Sequence, residues 1–246
     1  MLNETTVTKL NEIHLGVMAQ HFRQQLLNQA MNEIAFEERF GLLVDAEWSG
    51  RKSNRLKRLI KNASYSISTA CVENIAYHAD RKLDKTMIAR LETCSYIHEN
   101  HNVIIMGATG VGKTYLACAL GIAANRNFFP VKYVRLPDLF SDLAIARAKG
   151  AYRKEIKQYA KVKLLILDEW LLFPLQETET RDLLEIIEAR HNQGSIVFCS
   201  QFDVAAWHAK IGEPILADAV CDRIAHNSYM IVLSGDSMRK RNGIAG

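Results

Sequence analysis

The sequence predicts an α/β fold: a parallel sheet flanked by helices, preceded by a small all-α N-terminal domain. Three observations predict it. From Leu83 onward, short apolar runs of strand length alternate with segments of helix length. The first 62 residues instead place apolar side chains at three- and four-residue steps and contain no proline. With 246 residues, 48% hydrophobic and 24% charged, the chain can bury one full core and is too short for two large domains. We expect a helical domain over residues 1–65 and the sheet-bearing domain over residues 66–246.

The helical period runs from Val7 to Asn62 and is clearest at Phe36, Phe40, Leu43, Val44 and Trp48. Its last helix is expected to start afresh at Ser53, a plausible N-cap, and to run to Asn62 around Leu56, Leu59 and Ile60. Residues 63–82 read as a connector. Five apolar runs then read as buried strands: Val103–Met106, Val131–Arg135, Lys163–Leu167, Ser195–Ser200 and Tyr229–Leu233. The intervening segments, including Lys113–Asn125, Pro137–Lys149 and Glu177–Asn192, are long enough for helical crossovers between parallel neighbours. There is no internal repeat and no low-complexity stretch.

Composition narrows the class further. The longest apolar runs are far shorter than a membrane span, and the N-terminus lacks the apolar region of a signal peptide, so we expect a soluble, cytoplasmic protein without membrane contact. Cys71, Cys94, Cys118, Cys199 and Cys221 are odd in number and form no C-x-x-C pair, which points to reduced core thiols. His98 and His101 flank Glu99 without metalloprotease spacing and read as surface histidines.

Net charge is only +4, but its distribution is uneven. Residues 51–61 hold Arg51, Lys52, Arg55, Lys57, Arg58 and Lys61 with no acid. Between Arg147 and Lys163, seven bases face the single acid Glu155, and the tail adds Arg239, Lys240 and Arg241. Arg51, Lys52, Arg55, Arg147, Lys149, Arg153, Lys154 and Lys157 are therefore candidates for contact with a nucleic-acid backbone; a solvated helix face is the alternative.

The most specific motif is Gly107-Ala108-Thr109-Gly110-Val111-Gly112-Lys113-Thr114, followed by Tyr115. Its glycines let backbone N–H groups close around phosphates, and the helix start behind them favours an anion. A strand precedes it and a helix follows, the setting a phosphate-binding loop requires. Lys113 is assigned to the β- and γ-phosphates of ATP and Thr114 to Mg²⁺. A second run, Leu164-Leu165-Ile166-Leu167-Asp168-Glu169, delivers two acids to the same sheet edge. Asp168 suits Mg²⁺ held through water, and Glu169 suits polarising the attacking water. The strand ending Cys199-Ser200-Gln201 places Ser200 or Gln201 there as a sensing or water-positioning group, unless it is an ordinary strand end. Arg223, in Asp222-Arg223-Ile224, reads either as a surface pair or as an arginine reaching a neighbouring subunit's γ-phosphate.

Taken in order, G-A-T-G-V-G-K-T, L-L-I-L-D-E-W, S-Q, L-A-D-A-V-C-D-R-I-A-H-N and S-M-R-K resemble the IstB family of AAA+ ATPases. These are transposition helper proteins of insertion sequences, related to DnaC-type helicase loaders. Nearly the whole chain takes part, because Phe36 to Trp48 also resembles that family's N-terminal domain. The resemblance implies a P-loop NTPase (AAA+) fold and an ATPase that self-assembles on duplex DNA, bends or remodels it, and recruits or stimulates a cognate transposase. It further implies ATP at Gly107–Thr114, magnesium and hydrolysis at Asp168 and Glu169, Gln201 as first sensor and Arg223 as the finger.

Two departures stand out. Glu169-Trp170-Leu171 occupies the place of a second aspartate and a later glycine in many relatives, and the chain ends too soon for a separate helical lid carrying a second sensor arginine, which leaves no settled role for Arg239. The competing functions are a DnaC-type helicase loader acting on single-stranded DNA, a small-molecule kinase, and a module using ATP only as an assembly switch. The kinase leaves both basic clusters and Arg223 unexplained.

Overall fold

A computed structural model describes residues 2–241. Two compact units divide at Arg58/Leu59, within a helix that continues across the junction, seven residues before the expected boundary at 65/66.

The first unit is helical: α1 (Leu2–Glu12), α2 (Gly16–Leu27) and α3 (Phe36–Ala63). Here the expectation of a fresh helix at Ser53 is corrected, because α3 runs unbroken for 28 residues. Ser49, Gly50, Ser53 and Asn54 weaken helix propensity in this stretch. Packing overrides them: a Cβ added at Gly50 would lie 2.8 Å from Val17 Cγ2, so this glycine lets α2 and α3 approach closely.

In the second unit, α4 (Lys85–Glu92) and α5 (Ser95–His98) lead into β1 (Asn102–Gly107) and α6 (Lys113–Arg126). The chain continues through β2 (Val131–Arg135), α7 (Leu136–Ala148), α8 (Tyr152–Lys161), β3 (Leu164–Trp170) and α9 (Glu177–Arg190). It ends with β4 (Ser195–Ser200), α10 (Val204–Ile211), α11 (Pro214–Ala225), β5 (Ser228–Leu233) and α12 (Met238–Arg241). The strands form one parallel sheet in the order β2-β3-β4-β1-β5.

Alternation along the buried strands splits the core in two. Val103, Ile105, Leu164, Ile166 and Val197 face the layer that contains α6, while Ile104, Leu165, Leu167, Ile196 and Phe198 face the layer of α7, α8 and α9. Residues 63–82, expected as a mere connector, are a strap whose Ala63, Ala70, Val72 and Ile75 are buried in the first of these layers. Arg190 pins the base of the other layer, donating from Nη1 to the Tyr159 and Val162 carbonyls and from Nη2 to that of Ser195, at 2.7, 2.8 and 2.7 Å. Burial pushes its pKa down to about 10. Cys94, Cys118 and Cys199 are buried free thiols, and burial pushes those of Cys94 and Cys118 up to about 11.

Candidate nucleotide site

The carboxyl ends of β1, β3 and β4 converge on a cleft of 530 Å³. Thr109, Gly110, Gly112, Lys113, Thr114 and Tyr115 line it from the loop between β1 and α6. Gly107, Ala108 and Val111 shape the loop from behind. Gly107, Gly110 and Gly112 have φ of +150°, +85° and +101°, a region other residues rarely adopt, and a Cβ at Gly107 would collide with the Leu233 carbonyl oxygen of β5. Lys113 is buried, its Nζ donating to the Gly107 and Ala108 carbonyls at 2.7 and 2.8 Å. The ammonium is thus parked inside the curve of the loop, where phosphate oxygens can exchange for carbonyls as its acceptors.

Opposite the loop, the β3–β4 register shifts between Leu167 and Trp170, so Asp168 and Glu169 leave the ladder at its end. Glu169 takes a left-handed φ of +54° and Leu171 one of +49°. Trp170 is fully buried against Phe198 and Trp207, with ring centroids 4.6 and 5.4 Å away, which anchors the irregular strand end. Asp168 accepts from Thr114 Oγ1 at 2.7 Å through Oδ2 and from the Glu169 backbone N–H at 2.8 Å through Oδ1. A hydroxyl and a carboxylate in contact at the mouth of a phosphate loop are hard oxygen donors, the set that fits Mg²⁺. Glu169 lines the cleft beside them, its carboxylate held 3.1 Å from Arg135 Nη2.

The two candidates at the end of β4 separate. Ser200 is fully buried, and its Oγ accepts from Trp207 Nε1 at 3.1 Å and from the Phe202 N–H at 3.0 Å. Those bonds commit Ser200 to packing. Gln201 lines the cleft, and its Oε1 accepts from Thr109 Oγ1 at 2.8 Å.

Arg223 lies elsewhere. It borders a small depression with Asn100, Asn102, Gly194 and Asn227, residues that precede or open β1, β4 and β5, and so sits at the amino edge of the sheet. Its Nη2 meets Glu188 at 3.2 Å and its Nη1 donates to the Ala219 carbonyl at 2.8 Å. Among the basic candidates, Arg147 is bonded to the buried carboxylate of Asp182 and lies 4.5 Å from the Tyr152 ring, a pin between helices. Lys149, Arg153, Lys154 and Lys157 are exposed at and along α8. In the first unit, Arg51 meets Glu47 at 2.7 Å and the His14 carbonyl at 2.8 Å, Lys52 lies 4.5 Å from the Trp48 ring, and Arg55 is exposed. The side chain of Arg239 lies outside the described residues.

Three further residues at or behind the cleft were given no role there by the sequence. Arg81 is buried and donates from Nη2 to the Val111 carbonyl at 3.0 Å, bracing the loop. Ile67 and Met238 line the cleft from the strap and from the start of α12. Only the folded packing brings them there.

A parallel sheet with order β2-β3-β4-β1-β5, a glycine-rich loop leading into a helix and an acid pair on the adjacent strand end define a P-loop ATPase of the AAA+ class. The fold matches AMPPCP-bound DnaA from Aquifex aeolicus with a TM-score of 0.58 and 18% identity, covering 70% of this chain and 52% of that one. It matches the DnaC helicase loader with a TM-score of 0.54 and 20% identity, covering 67% and 97%. The model of the IstB-like ATP binding protein family matches residues 8–245, and the chain belongs to that family. Among named relatives, the insertion sequence ATP-binding protein designated y4pL of Sinorhizobium fredii is 40% identical over 240 residues, 98% of each chain. The ATP-binding protein designated for insertion sequence IS1162 of Pseudomonas fluorescens is 39% identical over 82% of this chain and 87% of that one.

Proposed function

We propose that this chain is an ATP-dependent, DNA-binding ATPase that self-assembles on duplex DNA, bends or remodels that DNA, and recruits or stimulates the transposase of an insertion sequence. The observation that carries the proposal is similarity along the whole chain, 98% of its length, to a protein named for an insertion sequence, rather than similarity to the nucleotide cleft alone. Within the cleft, Lys113 and the loop amides bind the phosphates, Thr114 and Asp168 would hold Mg²⁺, and Glu169 takes the proton of the attacking water. The ion would neutralise charge developing on the phosphates. Gln201, already bonded to Thr109 of the loop, reports the state of the γ-phosphate. Arg223 serves a neighbouring subunit's cleft, since it lies at the sheet edge away from its own.

The DNA-facing residues are Lys149, Arg153, Lys154 and Lys157, exposed bases at and along α8, whose Ile156 and Tyr159 are buried. Contacts from such a face go to phosphates and carry no base readout, which suits a protein that accepts many targets. In the first unit, Arg51, bonded to Glu47, Lys52, beside the Trp48 ring, and Arg55 offer a second set of phosphate contacts.

The test is steady-state ATP hydrolysis without DNA, with duplex DNA and with single-stranded DNA, reading assembly size in parallel. Duplex stimulation together with growth into a large oligomer is the expected result. Stimulation by single strands alone moves the function to helicase loading. Indifference of both rate and size to DNA removes the remodelling role.

A further inference from the structure

Asp168 has a third donor that belongs to no motif. Tyr133 OH meets the same Oδ2 as Thr114, at 2.8 Å. Tyr133 lies on β2, opposite Ile166 in the β2–β3 register, and is buried. Ser66 of the strap, next to Ile67, which lines the cleft, lies beside the phenol. Burial and the negative charge of Asp168 both push the phenol's pKa up, so the hydroxyl stays a donor.

A buried phenol must find a partner, whereas phenylalanine would fill the same space without that demand. Here the partner is the acid expected to hold the ion, and the geometry gives the bond a purpose. A carboxylate free to rotate would divide its time between the loop hydroxyl and the cleft. With Tyr133 OH and Thr114 Oγ1 on one oxygen and the Glu169 N–H on the other, the carboxylate plane is fixed where Asp168 lines the cleft. Thr114 then keeps its own lone pairs available without being the sole support of Asp168.

We infer that Tyr133 is a positioning residue for magnesium, fixing Asp168 beside the phosphate loop and tying that orientation through Ser66 to the strap. The inference rests on the reading of Asp168 as the magnesium-holding acid. It adds a residue from the neighbouring strand to the metal's outer support, where loss of one hydrogen bond lowers metal affinity without touching a ligand.

The experiment is calorimetric titration of ATP into the full chain, in EDTA and across a series of magnesium concentrations, for wild type, Tyr133→Phe and Ser66→Ala. In EDTA, Tyr133→Phe binds ATP as wild type does. The magnesium concentration that half-maximally tightens ATP binding rises roughly tenfold in Tyr133→Phe, and in the same direction but less in Ser66→Ala. An unchanged half-point in Tyr133→Phe overturns the inference. Equal weakening with and without magnesium also overturns it, because Tyr133 then supports the cleft's fold rather than the ion. If ATP binding to wild type is indifferent to magnesium, the magnesium reading of Asp168 falls first, a failure distinct from that of Tyr133.

Discussion

Glu169 is the residue on which the proposed hydrolysis turns. Its carboxylate lines the cleft 3.1 Å from Arg135 Nη2, and its backbone is left-handed at φ +54°. An ion pair this exposed is worth at most about 1 kcal/mol, so Arg135 restrains the carboxylate without locking it. Glu169→Gln keeps the shape and the hydrogen-bonding reach but cannot take a proton. We expect the variant to bind ATP and assemble as wild type does, while single-turnover hydrolysis slows roughly 10²- to 10⁴-fold. Unchanged turnover would remove Glu169 from the reaction. This acid and the loop residues were legible in the sequence because their chemistry demands fixed spacing after a strand. Tyr133 and Arg81 were not legible: Tyr133 bonds a residue 35 positions away and Arg81 one 30 positions away, and no local pattern marks either. Ser200 and Gln201, adjacent in sequence, could be told apart only once Ser200 was seen beneath Trp207.

At the scale of elements, the strands were readable within one or two residues at most ends, because each is an apolar run with turn residues beside it, even β5 at the sheet's edge, where Met230 and Val232 are exposed. The exception is β3, which continues past Leu167 to Trp170, since a bulge takes Asp168 and Glu169 out of register with β4 while Asp168 still pairs with Arg135 of β2. The misplaced break at Ser53 has a different cause: propensity is local, but the pairing of α2 with α3 is not. Glu47 carries that pairing. It is buried on α3 and accepts from the Met18 N–H at 2.9 Å, near the start of α2, where no side chain of Leu15 caps the helix. Burial opposes its charge, yet the bonds from Arg51 and the Met18 N–H hold its carboxyl below the usual range. The group therefore stabilises the α2–α3 pair above the ordinary glutamate pKa of about 4.3 and loses that contribution as pH falls through the depressed value. Glu47→Ala leaves the Met18 donor unmet, at a cost of about 1–3 kcal/mol. We expect amides of residues 16–27 to exchange hydrogen roughly 10- to 100-fold faster in this variant at neutral pH, with the sheet's amides unchanged. Wild-type exchange in α2 would show that Glu47 does not hold the pair.

For the whole molecule, the decisive placement is that of Arg223. The cleft lies at the carboxyl edge of the sheet and Arg223 at the amino edge, with the six residues of β1, about 20 Å of strand, between those edges. An arginine at that distance does nothing for its own nucleotide, whereas a neighbour packed edge to edge would receive it. Its partner Glu188 is half exposed, so the ion pair costs little to open. Sharing of this kind separates the two halves of an active site onto different subunits, and mixing exposes it. Glu169→Gln subunits bind ATP and assemble but lose their own proton acceptor while keeping Arg223, whereas Arg223→Ala subunits keep the cleft and lose the arginine. Each variant alone should hydrolyse ATP far more slowly than wild type. In a mixed assembly, an Arg223→Ala cleft beside a Glu169→Gln neighbour is complete, so equal mixing should restore about a quarter of wild-type turnover if neighbours are placed at random, each subunit having even odds of an intact cleft and of a neighbour with the arginine. A mixture no faster than the average of its parts would return Arg223 to a structural pair with Glu188, and normal hydrolysis by Arg223→Ala alone would do the same.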